Sequence, residues 1–247
     1  MEKNTSPGQP VGRWLFRYRS WIPPLLLAGL VAVLWLERDA RAQPGLAPPA
    51  LAAGLICTLA GLAIRAYVIG TAAPGTSGRN TLSQVAKSLN TTGLYSIVRH
   101  PLYLGNFFTW IGLAIATGSW WALPVTIGAF GLFYGQIILV EEAFLRTRFG
   151  EQHATWASVT PALVPALSQW RPPRLPFAPR IVLRQEYYGW FTAVVFFAVL
   201  EIAAQYQATG RVRLAAGWLV ALTTVGGVAG TLRVLQRKTS LLDVEGR

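Results

Sequence analysis

Apolar positions in this chain gather into long runs. Residues 21–36, 46–70, 101–118, 119–140, 188–204 and 214–235 are nearly free of charge. A helix crosses the hydrocarbon of a bilayer with about 17–25 apolar residues, and a helix that is apolar all round needs lipid or a large core around it. The pattern therefore predicts an all-α integral membrane protein of about six transmembrane helices. The first and fifth runs are short, and flanking Trp, Tyr and Arg residues extend them into the interface. Pro23 and Pro24, Pro48 and Pro49, and Pro101 stand where the first, second and third helices begin. Proline is tolerated there because the missing N–H would have no partner anyway. Gly118-Ser119 makes a tight turn between the third and fourth runs, with Trp120 and Trp121 at the interface, so these two runs form a helical hairpin.

The polar stretches divide the chain into an N-terminal basic segment with the first helix (1–45), a central three-helix unit (46–166), and a basic Pro-rich loop with two more helices (167–247). Residues 1–12 carry Pro7, Gly8 and Pro10 and are expected to be disordered. Arg13 to Arg19 interleaves Trp14, Phe16 and Tyr18 with arginine, as an interfacial anchor does. Residues 37–45 form a short outer loop. Residues 71–98 form an inner loop with turns at Gly70, Pro74, Gly75 and Gly78, and a short amphipathic stretch from Leu82 to Leu94. The fourth helix is expected to run past the membrane through Leu139, Glu142, Leu145, Arg146 and Phe149, with Gly150 as its stop. Six prolines between Pro161 and Pro179 make residues 151–186 an ordered loop.

Composition supports this reading, since 13% of residues are charged against about 25% in soluble domains. The formal net charge of +12 invites a nucleic-acid partner, but its distribution argues against one. With six spans, 18 of the 22 basic residues fall on one side, among them Arg17, Arg19, Arg99, Arg146, Arg171 and Arg237. Arg38, Arg41, Arg211 and Arg213 fall on the other. The positive-inside rule then places both termini and the two long loops in the cytoplasm, in an inner or plasma membrane rich in anionic lipid. Ala40-Arg41-Ala42 weakly mimics a signal-peptidase site, but the charged segment before the first run is too long for a usual signal peptide. Cys57 is the lone cysteine, and neither His100 nor His153 has a neighbour at zinc spacing, so no metal site is expected.

Two segments carry candidate chemistry. Around Arg99-His100-Pro101-Leu102-Tyr103, Pro101 opens a helix whose first-turn amides and dipole favour an anionic group. Arg99 and His100 add polar donors, Tyr103 lies in the first turn, and Gly105 lets a ligand or a neighbouring helix approach closely. Taken singly, each residue also fits a lipid-headgroup anchor. The second segment is Glu141-Glu142, two carboxylates at the inner end of an apolar helix, which are costly there without partners. They point about 100° apart on a helix, so at most one faces a given pocket. Arg99, Arg146 and Arg148 are the available cations. Asn106 and Gln136, polar residues inside the hairpin, read as helix–helix hydrogen bonders.

Gly93-x-Tyr95, Arg99-His100-Pro101-x-Tyr103-x-Gly105 and, beyond the hairpin, Glu141-Glu142-x-x-Leu145-x-x-x-Phe149-Gly150 together resemble the isoprenylcysteine carboxyl methyltransferase family and the broader phospholipid methyltransferase group. The likeness covers roughly residues 50–166. It implies methyl transfer from S-adenosyl-L-methionine to a membrane lipid or a prenylated or other amphiphilic acceptor. It further implies that Tyr95, His100, Pro101, Tyr103, Gly105, Glu141 and Glu142 surround the cofactor, with Arg99 and Glu142 as the residues nearest the chemistry. Where the family has Tyr-x-x-Tyr after Phe-Gly, this chain has His153 and Trp156, and its Pro161 is followed by Ala162 rather than arginine. These departures bear on the acceptor more than on the donor. Two other classes compete: a nicotinamide-dependent sterol-reductase-like enzyme, which shares a His-Pro-x-Tyr block but not the Glu-Glu block, and a non-catalytic lipid-binding membrane protein.

Overall fold

The computed structural model describes residues 10–37, 45–74, 76 and 86–244. Residues 1–9 of the expected disordered N-terminus, most of the outer loop 37–45 and the first part of the Leu82 to Leu94 stretch lie outside them, while residues 10–12, expected to be disordered, are helical. Among the described residues seven α-helices follow in order: α1 (Pro10–Tyr18), α2 (Ile22–Leu36), α3 (Pro48–Thr71), α4 (Pro101–Ala116), α5 (Ala122–Val159), α6 (Pro179–Thr209) and α7 (Ala216–Lys238). No strand occurs among the described residues; one isolated bridge joins Gly93 to Arg171.

Among the described residues five helical stretches are long and apolar enough to cross a membrane: Trp14–Leu36, Pro48–Thr71, Ala122–Val159, Pro179–Thr209 and Ala216–Lys238. The sixth predicted span is α4, which has 16 residues, and at 1.5 Å per residue it falls short of the hydrocarbon thickness. Three elements differ from the sequence expectation. The loop expected over 151–186 is shorter, since residues 151–159 continue α5 and residues 179–186 open α6. The Arg13–Arg19 anchor is itself helical and passes through a 3-10 turn at Arg19–Trp21 into α2, making one long stretch. Gly150 does not stop α5: it takes a non-helical conformation (φ 51°, ψ −122°), and the helix resumes as far as Val159. The positive φ that suits glycine to a helix end here makes a kink, which turns His153 and Trp156 inward, where both are buried.

The tightest packing is between α3 and α4. Gly54, Thr58 and Gly61 on α3 meet Gly105, Thr109 and Gly112 on α4. Small residues in register let membrane helices approach until backbone meets backbone. The Thr58 hydroxyl donates to the Thr109 carbonyl at 3.3 Å, and the Cys57 thiol donates to the Phe108 carbonyl at 3.3 Å. A core of Leu30, Leu34, Leu113, Ile137, Phe197 and Leu200 joins α2, α4, α5 and α6. α7 stands at the edge, with Leu232 its buried residue and Leu219, Val220, Val228 and Val234 exposed, a surface suited to lipid.

Candidate functional site

The site forms where α4 begins. The segment before it, residues 93–100, is held by backbone bonds to the Pro-rich loop: Gly93 N–H donates to the Arg171 carbonyl (2.9 Å), Arg99 N–H to Pro161 (2.8 Å), His100 N–H to Ala162 (3.1 Å), and Ala166 N–H to Ile97 (2.8 Å). The Pro161-Ala162 departure therefore lies in a backbone clasp, where the carbonyls matter and the side chain at 162 does not contribute the bond. Gly93 has φ 61°, a left-handed conformation that glycine adopts without strain, and this turn delivers Tyr95.

Arg99 and Glu142, 43 residues apart, meet at the centre. Arg99 Nε donates to Glu142 Oε1 at 2.7 Å, and its Nη1 donates to the Ala157 and Thr160 carbonyls at 3.0 and 2.6 Å. His100 Nε2 lies 2.8 Å from the same Glu142 Oε1. His153 Nε2 lies 3.2 Å from Glu142 Oε2, out of line for a hydrogen bond. Burial alone would push the His100 pKa down, but the neighbouring Glu141 and Glu142 carboxylates outweigh it, so its pKa is raised. Burial and the Glu141 charge push the Tyr95 hydroxyl up, keeping it protonated.

A cavity of about 590 Å³ opens beside this cluster, within the size range of small-molecule sites. Tyr95, Arg99, His100, Pro101, Tyr103 and Glu141 all line it. Glu142 stands one layer behind, gripping Arg99 and His100, so the two adjacent carboxylates face different ways as helical geometry requires. Glu141 Oε2 is buried, accepts no hydrogen bond, and has His100 Nδ1 3.6 Å away. Gly105 packs against α3 and not into the cavity lining: a Cβ there would come within 2.6 Å of Arg65 Cγ and 2.8 Å of the Gly61 carbonyl oxygen. The first turn of α4 also offers fewer amides than the sequence suggests, because Tyr103 N–H and Leu104 N–H both donate to the His100 carbonyl at 3.0 Å. Trp156 Nε1 donates to the Tyr95 carbonyl (3.0 Å) and its ring lines the cavity.

Sequence reasoning missed a second polar group in the same cavity. Arg65 of α3 donates from Nε and Nη2 to Glu186 of α6, both at 2.8 Å, and from Nη1 to Asn106 of α4 at 2.7 Å. Asn106 Nδ2 donates onward to the Tyr134 hydroxyl at 3.3 Å. Tyr134 lies 5.2 Å from Tyr103, and Tyr103 stacks on His100 at 5.6 Å, centroid to centroid. The available signal was Arg65 in the otherwise apolar run 46–70, since ionisable groups at membrane depth rarely lack a function; Glu186 stands in the polar stretch before the fifth run and gave none.

Fold and site together define a multi-pass membrane protein with a polar cavity at one end of its helix bundle. The phospholipid methyltransferase profile matches residues 50–152. The chain is 30% identical to the cobalt-zinc-cadmium resistance protein CzcN of Cupriavidus metallidurans over 69% of its own length and 77% of that protein. It is 39% identical to the nickel-cobalt-cadmium resistance protein NccN of Alcaligenes xylosoxydans xylosoxydans, over 38% of this chain and 42% of the relative. It is 30% identical to the protein-S-isoprenylcysteine O-methyltransferase of Tribolium castaneum, over 48% of this chain and 42% of the relative. No solved structure matches the chain at a significant level. The chain belongs to the isoprenylcysteine-methyltransferase-like, phospholipid methyltransferase family of membrane methyltransferases. It spans less than half the length of the second and third of these relatives.

Proposed function

We propose that this protein transfers a methyl group from S-adenosyl-L-methionine to the headgroup of a lipid-like acceptor, with the donor held at the Arg99–Glu142 end of the cavity. The observation that carries the reading is the set of groups around one wall. Glu141 offers a buried oxygen without a hydrogen bond, suited to the donor's ammonium. Arg99 is fixed by Glu142 through Nε and by two carbonyls through Nη1, leaving its Nη2 N–H groups for the donor's carboxylate. The faces of Tyr103 and Tyr95 suit a sulfonium. When bound, the cofactor supplies an electrophilic methyl group on sulfur. The protein's part is alignment and exclusion of water, and Glu142, already committed to Arg99 and His100, acts by positioning them. Two relatives are named for resistance to metal ions, and the described residues hold no group of three or more His, Cys, Asp or Glu side chains able to bind one. The distribution of basic residues supports a cytoplasmic face for the site.

The test is transfer of labelled methyl from S-adenosyl-L-methionine to a total lipid extract, with mass analysis of the product. A chloroform-soluble product one methyl heavier than a lipid in the extract is expected. Label that stays wholly in the donor across acidic, zwitterionic and neutral lipid fractions contradicts the proposal.

A further inference from the structure

The loop that joins α5 to α6 has two faces, and the site uses one of them. Its inward face is the backbone clasp on residues 93–100. Arg171 N–H adds a bond to the buried Ser96 hydroxyl (2.9 Å), which itself donates to the Gly93 carbonyl (2.7 Å). On its outward face Leu167, Trp170 and Phe177 are exposed, with exposed Arg171, Arg174 and Arg180 among them. We propose that this outward face docks on the headgroups of anionic phospholipid in the leaflet at the site end of the bundle, and that docking steadies the clasp. The docking stands apart from the methyl-transfer reading; its effect on donor affinity rests on that reading.

Three observations carry it. The first is depth. The Trp170 ring lies 6.3 Å from that of Tyr67, the Phe177 ring rests against Gly70, and Ala178 N–H donates to the Gly70 carbonyl at 2.9 Å. Tyr67 and Gly70 stand near the end of α3, a helix long and apolar enough to span. The loop therefore runs along the membrane boundary, where exposed aromatic rings sit among headgroups.

The second is charge. Residues 152–185 contain Arg171, Arg174, Arg180 and Arg184 and no Asp or Glu. Arg184 is taken up by Asp243 at 2.8 Å. The other three form no ion pair among the described residues. Their mutual repulsion is relieved by a surface of anionic headgroups, which attracts basic segments beside a membrane. Guanidinium groups also suit phosphate geometrically.

The third is connection. Arg171 gives its N–H and carbonyl to the clasp, while its exposed side chain belongs to the basic face. Lipid that holds the outward face thereby favours the arrangement that delivers Tyr95 and Arg99 to the cavity, and by linkage a bound donor favours the docked loop. Basic residues that only set topology would leave backbone exchange and donor affinity indifferent to lipid charge.

The test places the full chain in nanodiscs of phosphatidylcholine, alone or mixed about two to one with phosphatidylglycerol. Amide hydrogen exchange is followed in peptides over 93–100 and 161–178. Slower exchange of both peptides in the anionic discs is expected. S-adenosylhomocysteine affinity is expected to be about fivefold tighter there, the low end of coupling between distinct sites. Salt near 1 M, where the screening length is about 3 Å, is expected to shrink both differences. Arg174→Gln/Arg180→Gln is expected to abolish them, with donor affinity in phosphatidylcholine alone within about twofold of the unaltered protein. Arg237→Gln/Lys238→Gln removes the same charge from the end of α7 and is expected to retain them. Glycerol 3-phosphate, a headgroup anion without chains, is expected to protect neither peptide. Exchange or donor affinity that ignores lipid charge, survival of the differences in the loop variant, equal loss in the α7 variant, or equal protection by glycerol 3-phosphate overturns the inference. Lipid-dependent protection with no S-adenosylhomocysteine binding in either disc sustains the docking and overturns the methyl-transfer reading instead.

Discussion

Glu142→Ala is expected to lower S-adenosylhomocysteine affinity by at least tenfold and to destabilise the protein. The Glu142 carboxylate holds Arg99 Nε at 2.7 Å and His100 Nε2 at 2.8 Å, with His153 Nε2 at 3.2 Å. Its removal strands a guanidinium and an imidazole whose pKa was raised by the carboxylates. Breaking a buried ion pair by deleting one partner costs roughly 3–5 kcal/mol. The 12% exposure of Glu142 and 18% of Arg99 put the expected loss at or below the low end of that range. Glu142→Gln retains an acceptor oxygen without the charge, so a smaller loss is expected. Titration calorimetry and thermal unfolding in the same detergent read both effects. Unchanged donor affinity in a stable Glu142→Ala protein removes Glu142 from the site.

Gly105→Ala is the second large effect, and it acts through the fold. The added Cβ would come within 2.6 Å of Arg65 Cγ and 2.8 Å of the Gly61 carbonyl oxygen. The arginine stem can swing aside, but the carbonyl belongs to the α3 backbone, so α4 has to move. Overpacking of this kind costs about 1–3 kcal/mol. Arg65 lines the cavity, so methyl transfer is expected to fall along with stability. Gly128→Ala on α5, where nothing lies within 4 Å of the added carbon, serves as the control and is expected to be neutral or slightly stabilising, since alanine favours the helix. Equal stability of the two variants under thermal unfolding would show that the α3–α4 contact is looser than described.

Much of this architecture is legible in the chain. The charge-free runs locate the helices, and α3, α4 and α6 each begin at a proline, Pro48, Pro101 and Pro179. The pairing of Arg99 with Glu142 was one of three cation partners the sequence allowed, and the divergence of Glu141 from Glu142 followed from helical geometry. Other features were hidden for physical reasons. The clasp between residues 93–100 and the Pro161 to Arg171 loop is made largely of backbone groups, which leave no signature in residue identity. The Gly150 kink reads as a stop because the same positive φ serves both uses. Arg65 and Glu186 are 121 residues apart, and α6 lies outside the stretch that matches the family. No local pattern links them; only the packing of α6 on α3 does. His153 and Trp156, which replace the family's tyrosines, turn out to back Glu142 and to brace the Tyr95 carbonyl.

The cavity beside Arg99 and Glu142 is expected to take the methyl donor. Thermal unfolding of the purified protein with S-adenosylhomocysteine, and separately with the phosphorylated nicotinamide dinucleotide, tests it most directly. A ligand that binds only the folded state adds about 2.7 kcal/mol at a hundred times its Kd. A concentration-dependent rise in Tm is expected with S-adenosylhomocysteine and none with the nicotinamide. A rise with the nicotinamide alone contradicts it.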